Sequence, residues 1–275
     1  CLVHVGNDPM SQVHFVYGGG YYAPCAGTKL DITRGTILEN VYGGGNMGAM
    51  TGSASIASLK TGDNEQASTY VLVNSDNVYV TNNLYGGCNQ APVSAAAYVD
   101  VRAGHVNNLY GGNDIGAVVT KTRVDVSGGQ IQNIFGGSNG YYQYTETSSG
   151  SGVYNVKELN AASEAQNIAE GVALPVCTTT NVNIWGGTFG TEEKTCNIYA
   201  GGKAGDCGNT YLNINDQELP ATGYEATVNG KIFGGGKGQK GDDKGKVTGN
   251  PQVNVYAGEI GTIYGGGNAA PYTVS

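Results

Sequence analysis

The chain has 275 residues, a formal net charge of −8, 13% charged residues and 47 glycines. The negative balance argues against nucleic acid or an anionic membrane as the main partner, and so sparse a charge argues against a disordered polyelectrolyte. No run of about 18 apolar residues is present, so no membrane insertion by a helix is expected.

The chain opens on a strand-like pattern, LVHV, with no signal peptide, as a mature product or a fragment would. An aliphatic residue, an aromatic and a glycine run then recur to the end. FVYGGG ends at Gly20, NVYGGGN at Asn46, NLYGGCN at Asn89, NLYGGND at Asp114 and NIFGGSN at Asn139. NIYAGGK ends at Lys203, KIFGGGK at Lys237 and TIYGGGN at Asn268. The aromatics are Tyr17, Tyr42, Tyr85, Tyr110, Phe135, Tyr199, Phe233 and Tyr264, spaced by 25, 43, 25, 25, 64, 34 and 31 residues. A minimum of 25 that is met three times and otherwise exceeded marks a repeat with insertions.

Upstream of the aromatic lies a V-x-V motif, as in LDITRGTILENVY at 30–42, VDVRAGHVNNLY at 99–110, VDVSGGQIQNIF at 124–135 and VNVYAGEIGTIY at 253–264. Apolar–polar alternation bounded by glycine reads as short half-buried strands. The unit predicts a V-x-V strand, a short strand around Ile37, Val106, Ile131 or Ile260, and the aromatic strand, with glycine corners. Three short strands per turn is a rung of a parallel β-helix. The expected fold is all-β: a right-handed parallel β-helix (β-solenoid) of about eight to nine rungs, one domain over 1–275 within a longer repeat array. Leu30, Val99, Val124, Val182, Leu212 and Val253 would form one inward column, and Ile32, Val101, Val126, Ile184, Ile214 and Val255 the next. Insertions fall at 46–69, read as a polar loop, and at 138–176, whose segment 156–174 has helix-forming composition.

Two residues before the aromatic stand Asn40, Asn83, Asn108, Asn133 and Asn197, and a second set, Asn46, Asn89, Asn139 and Asn268, follows the glycines. Stacked amides can bond along such a column. This pattern resembles the asparagine ladders of right-handed parallel β-helix proteins, pectate-lyase-like folds included. The aromatic follows an aliphatic neighbour, so strand alternation puts Tyr42, Tyr85 and Tyr110 outside or at the rim, stacked rung on rung, where the stack would stabilise the rod or, alternatively, the rings could seat sugars. The centre of V-x-V points outward with Asp31, Asp100 and Asp125, and Arg102, Trp185 and Tyr256 lie two positions on from such centres. Asp100, Arg102 and Asp125 form the nearest approach to a lyase or hydrolase cluster, against which stands a solvated face. Six cysteines include Cys1 and Cys25, one repeat apart, and Cys177, Cys196 and Cys207 around one irregular turn; both groups are disulfide candidates. The three histidines, His4, His14 and His105, are scattered, so neither a metal site nor a cofactor is expected.

Over its whole length the chain resembles glycine-rich β-helix repeat proteins of bacterial cell surfaces, which are typically adhesins or stalks. The resemblance implies an extracellular structural or adhesive protein, not an enzyme, that displays binding loops and stacks end to end with itself or with neighbouring repeats. Host or microbial glycans and proteins are the implied partners. The alternative is a polysaccharide-binding or polysaccharide-cleaving β-helix.

Overall fold

The structure, a computed structural model, describes residues 2–5, 11–57, 64–159, 167–215 and 225–271. These residues are all-β. Strands alternate along the chain between two parallel sheets, an arrangement compatible with a β-solenoid. The first sheet runs through Leu2–Val5, Thr28–Ile32, Asn64–Val73, Val93–Val101, Val118–Val126, Val176–Ile184, Asp206–Ile214 and Pro251–Val255. The second holds Gln12–Tyr17, Gly35–Tyr42, Val78–Tyr85, His105–Tyr110, Gln130–Phe135, Asn197–Tyr199 with Gly187–Phe189, Ala226–Phe233 and Glu259–Tyr264.

Register follows the repeat. Val99 pairs with Val71 and Val124, and Val124 with Val182. The predicted inward columns lie between the sheets as one continuous buried core, with Val253 partly buried and Val255 exposed at the last strand. Val71 and Val73 belong to the same columns. The short strand and the aromatic strand prove to be one strand in most units, as in Gly35–Tyr42 and His105–Tyr110, whereas Gly187–Phe189 and Asn197–Tyr199 stay separate. What alternation suggested was a corner between them is a register shift, as between Val80 and Asn83.

Two kinds of glycine build the rung. Gly35, Gly104, Gly129, Gly187 and Gly258 have φ of 110°, 92°, 86°, 103° and 109°, turning the chain from one sheet into the other. The glycine run serves close approach instead. A Cβ on Gly43 would stand 2.3 Å from the Gly86 carbonyl oxygen, and one on Gly111 2.3 Å from that of Gly136. Buried threonines lock this corner: Thr28, Thr69, Thr122, Thr180 and Thr210 donate to Gly43, Gly86, Gly136, Ala200 and Gly234 carbonyls at 2.5–2.6 Å.

The insertions are strands, against expectation. Within 46–69, Ala54–Ala57 pairs antiparallel with Asn64–Val73. Within 138–176, Tyr142–Glu146, Tyr154–Glu158 and Asn167–Val172 form a three-stranded antiparallel sheet. Much of the segment with helix-forming composition is therefore in strands, and 160–166 lie outside the described residues. Ile115, Val156, Ala169 and Val172 bury one face of this small sheet, and packing overrides local propensity.

Candidate functional site

The aromatic column is interior, which corrects its expected place at the rim. From Tyr17 to Tyr264 successive rings stack at 4.7–5.0 Å with planes within 17°. Tyr42, Tyr85 and Tyr110 are fully buried. Alternation correctly places each ring opposite its aliphatic neighbour, but the far side is not wet. After the glycine run the chain doubles back, and the Asn46–Asn89–Asp114–Asn139 column covers the rings: Tyr42 Oη donates to Asp114 at 2.9 Å, and Asn139 Nδ2 donates to Tyr85 Oη at 3.2 Å. A buried hydroxyl that finds such a partner loses its reason to face water.

Asp100 and Asp125 are also buried, at 0% exposure, rather than on a solvated face. They are register partners, as the repeat implied. Arg102 grips Asp100 through Nε at 3.0 Å and Nη2 at 2.6 Å, while Tyr70 donates to Asp100 at 3.1 Å. Arg123 Nε reaches Asp125 at 3.2 Å, and its Nη1 reaches Glu65 at 3.1 Å. Tyr98 and Asn183 donate to Asp125 at 2.5 and 2.7 Å, and Lys121 meets Glu65 at 2.8 Å. Burial raises the Asp100 carboxyl above its ordinary value, and the Arg102 guanidinium opposes it. Asn213 and Asn254 continue this column as a ladder, each donating to the amide oxygen before it at 2.9 and 2.8 Å.

The predicted ladder before the aromatic is present: Asn83, Asn108 and Asn133 donate to Asn40, Asn83 and Asn108 at 2.9–3.0 Å. In the ladder after the glycines, Asn89 donates to Asn46 at 2.7 Å and Asn139 to Asp114 at 2.7 Å. Asp114 was not singled out from sequence, although its signal is plain: an aspartate in an asparagine column. Tyr142 of the inserted sheet donates to it at 2.8 Å. Burial pushes its carboxyl above the usual range, against hydrogen bonds from Asn139, Tyr142, Tyr85 and Tyr42. The Oδ1 atoms of Asn89 and Asn139, both buried, have no hydrogen-bond partner among the described residues.

Trp185 is buried, and its Nε1 also lacks a partner among the described residues. Tyr256, the one exposed aromatic of the predicted set, lies beside the last strand of the first sheet at 46% exposure. Cys88, Cys177, Cys196 and Cys207 are buried thiols, so no bridge joins Cys177, Cys196 and Cys207. Cys177 and Cys207 are register partners, whereas Cys196 sits in the central core. Burial pushes Cys88 and Cys196 up to about 12. The Cys1–Cys25 pairing involves Cys1, outside the described residues.

A groove of about 590 Å³ lies on the outer face of the second sheet. Val78–Tyr85, His105–Tyr110 and Gln130–Phe135 form its floor, and Thr188, Gly190, Thr191 and Lys194 its wall. Tyr79, His105 and Gln130 are successive register partners there. The Tyr79 and His105 rings lie 4.4 Å apart and 3° from parallel, with Tyr79 45% exposed. Among the described residues no group of three or more His, Cys, Asp or Glu side chains could hold a metal. Compared with family models, curated proteins and solved structures, the chain gives no match.

Proposed function

We propose that this chain is a right-handed parallel β-helix that serves outside the cell as a structural and adhesive rod, not as an enzyme. The observation that carries the reading is the aromatic column. It passes through eight levels, and its last ring, Tyr264, is 44% exposed where Phe233 one level before is buried. Ile263 of the same strand is equally exposed. A strand edge with an exposed apolar column end is a template for pairing with a second copy. The carboxylates that a lyase would need, Asp100 and Asp125, are committed to Arg102, Arg123 and the tyrosines. That commitment favours scaffold over catalysis.

Sedimentation velocity on the 275-residue chain tests this reading. The expected result is an elongated particle whose mass average rises with concentration and falls when Ile263→Lys is introduced. A compact monomer at every concentration would contradict it. An adhesive rod also needs an accessible binding surface, and the groove beside Tyr79 favours the second reading, a polysaccharide-binding β-helix.

A further inference from the structure

We infer that the groove over Tyr79 and His105 is a carbohydrate site that takes a short oligosaccharide of neutral pyranose units. This rests on the adhesive reading, to which it supplies the surface and the ligand class. Tyr79 lies between buried Val78 and Val80 on the outward side of its strand, so the core makes no demand for a ring there. Stacked on His105, it presents an aromatic face at the groove floor. The apolar face of a pyranose seats on such a platform by the area burial that aromatic side chains supply.

The polar lining fits the rest of a sugar. Carboxamides of Asn107, Gln130 and Gln132 border the floor, and each carries a donor and an acceptor, as a hydroxyl pair requires. Among the described residues these three side chains make no hydrogen bond, in contrast to the asparagines of the ladders, whose amides bond one another. Thr188 and Lys194 add further polar groups from the wall. Among the described residues no carboxylate lines the groove, although the chain carries 22 acidic residues. A neutral ligand suits this lining, because a net charge of −8 would repel a polyanion while one lysine faces it. The volume of about 590 Å³ falls inside the ordinary range for small-ligand sites, about 300–1,000 Å³.

Isothermal titration of the 275-residue chain with cellohexaose, xylohexaose, maltohexaose and tri-galacturonate tests the proposal. At least one neutral hexaose should bind saturably, and Tyr79→Ala should weaken it about tenfold or more, the loss of one aromatic contact. Tyr79 is partly exposed, so the variant should keep the circular dichroism spectrum of the parent. Gln132→Ala should weaken binding by a smaller factor, and Tyr256→Ala, exposed elsewhere, should leave it unchanged. The proposal is overturned if no neutral hexaose binds at millimolar concentration, if tri-galacturonate binds best, or if Tyr79→Ala binds like the parent. Sedimentation of the same samples reads rod assembly separately, so failure of the groove and failure of the rod are distinct results.

Discussion

Asp125 and Asp114 are both buried carboxylates that accept a ladder amide, and the fold holds them by opposite means. Asp125 has the Arg123 guanidinium as well as Tyr98 and Asn183. Asp114 has Tyr42, Tyr142 and Asn139, with no cation at salt-bridge distance among the described residues. In each ladder the amide nitrogen of one rung donates to the oxygen of the rung before. A carboxylate can accept in that chain but cannot pass a proton on. Around Asp100 and Asp125, two arginines and two tyrosines supply the missing donors. Beside Asp114 the tyrosines donate to the carboxylate itself, and Asn89 Oδ1, one rung before it, is left without a donor among the described residues. A ladder therefore tolerates aspartate well where charge is paired and poorly where only neutral donors reach it.

Removing the paired cation should have the largest effect. Arg123→Met would leave Asp125 a buried charge without its cation, and Glu65 with Lys121 alone, at a cost of about 3–5 kcal/mol. Urea unfolding at neutral pH reads it, and a loss below about 1 kcal/mol would mean that the tyrosine and amide donors suffice at both centres.

The unpaired centre should respond with the opposite sign. Asp114→Asn restores a donor toward Asn89 and removes a buried charge, so it should gain about 1 kcal/mol at neutral pH. The pH dependence follows from the raised carboxyl. The folded state holds that proton more tightly than the unfolded chain, so its contribution is complete at low pH. It is lost as pH rises from the unfolded value, about 3.9, through the folded one. The stability of Asp114→Asn minus that of the parent should therefore grow with pH across that window and then level off. Asp100 and Asp206, also raised by burial, cancel in this difference. If the gap shrinks as pH rises, the four hydrogen bonds hold Asp114 as a favoured anion, and the contrast with Asp125 disappears.

Much of the scaffold was legible in the sequence because it repeats. The V-x-V columns and the Asn40–Asn83–Asn108–Asn133 ladder lie where the spacing put them. The orientation of the aromatic column was not legible, because alternation says only that Tyr42 and Val41 point apart. Whether the far side is water depends on where the chain goes after Gly45, and glycine runs carry no side-chain pattern to reveal that. The same blindness put Asp100 and Asp125 in solvent: Tyr70 and Tyr98 cover them from outward positions on neighbouring strands, and Arg123 covers Asp125 from its own strand. The groove depends on a single insertion near Thr191 standing beside Tyr79, about 110 residues earlier, a juxtaposition that local pattern cannot show.

The central claim is that the repeated aromatic is an internal ladder joining rungs, not a displayed surface. Thermal unfolding of Tyr110→Phe and Tyr110→Ala tests it most directly, since Tyr110 stacks on Tyr85 and Phe135 at 4.9 and 4.7 Å. Phenylalanine keeps the stack and should stay within about 0.5 kcal/mol of the parent. Alanine opens a gap in the column and should cost about 3–5 kcal/mol. Alanine tolerated within about 0.5 kcal/mol, as at an exposed position, would contradict the account.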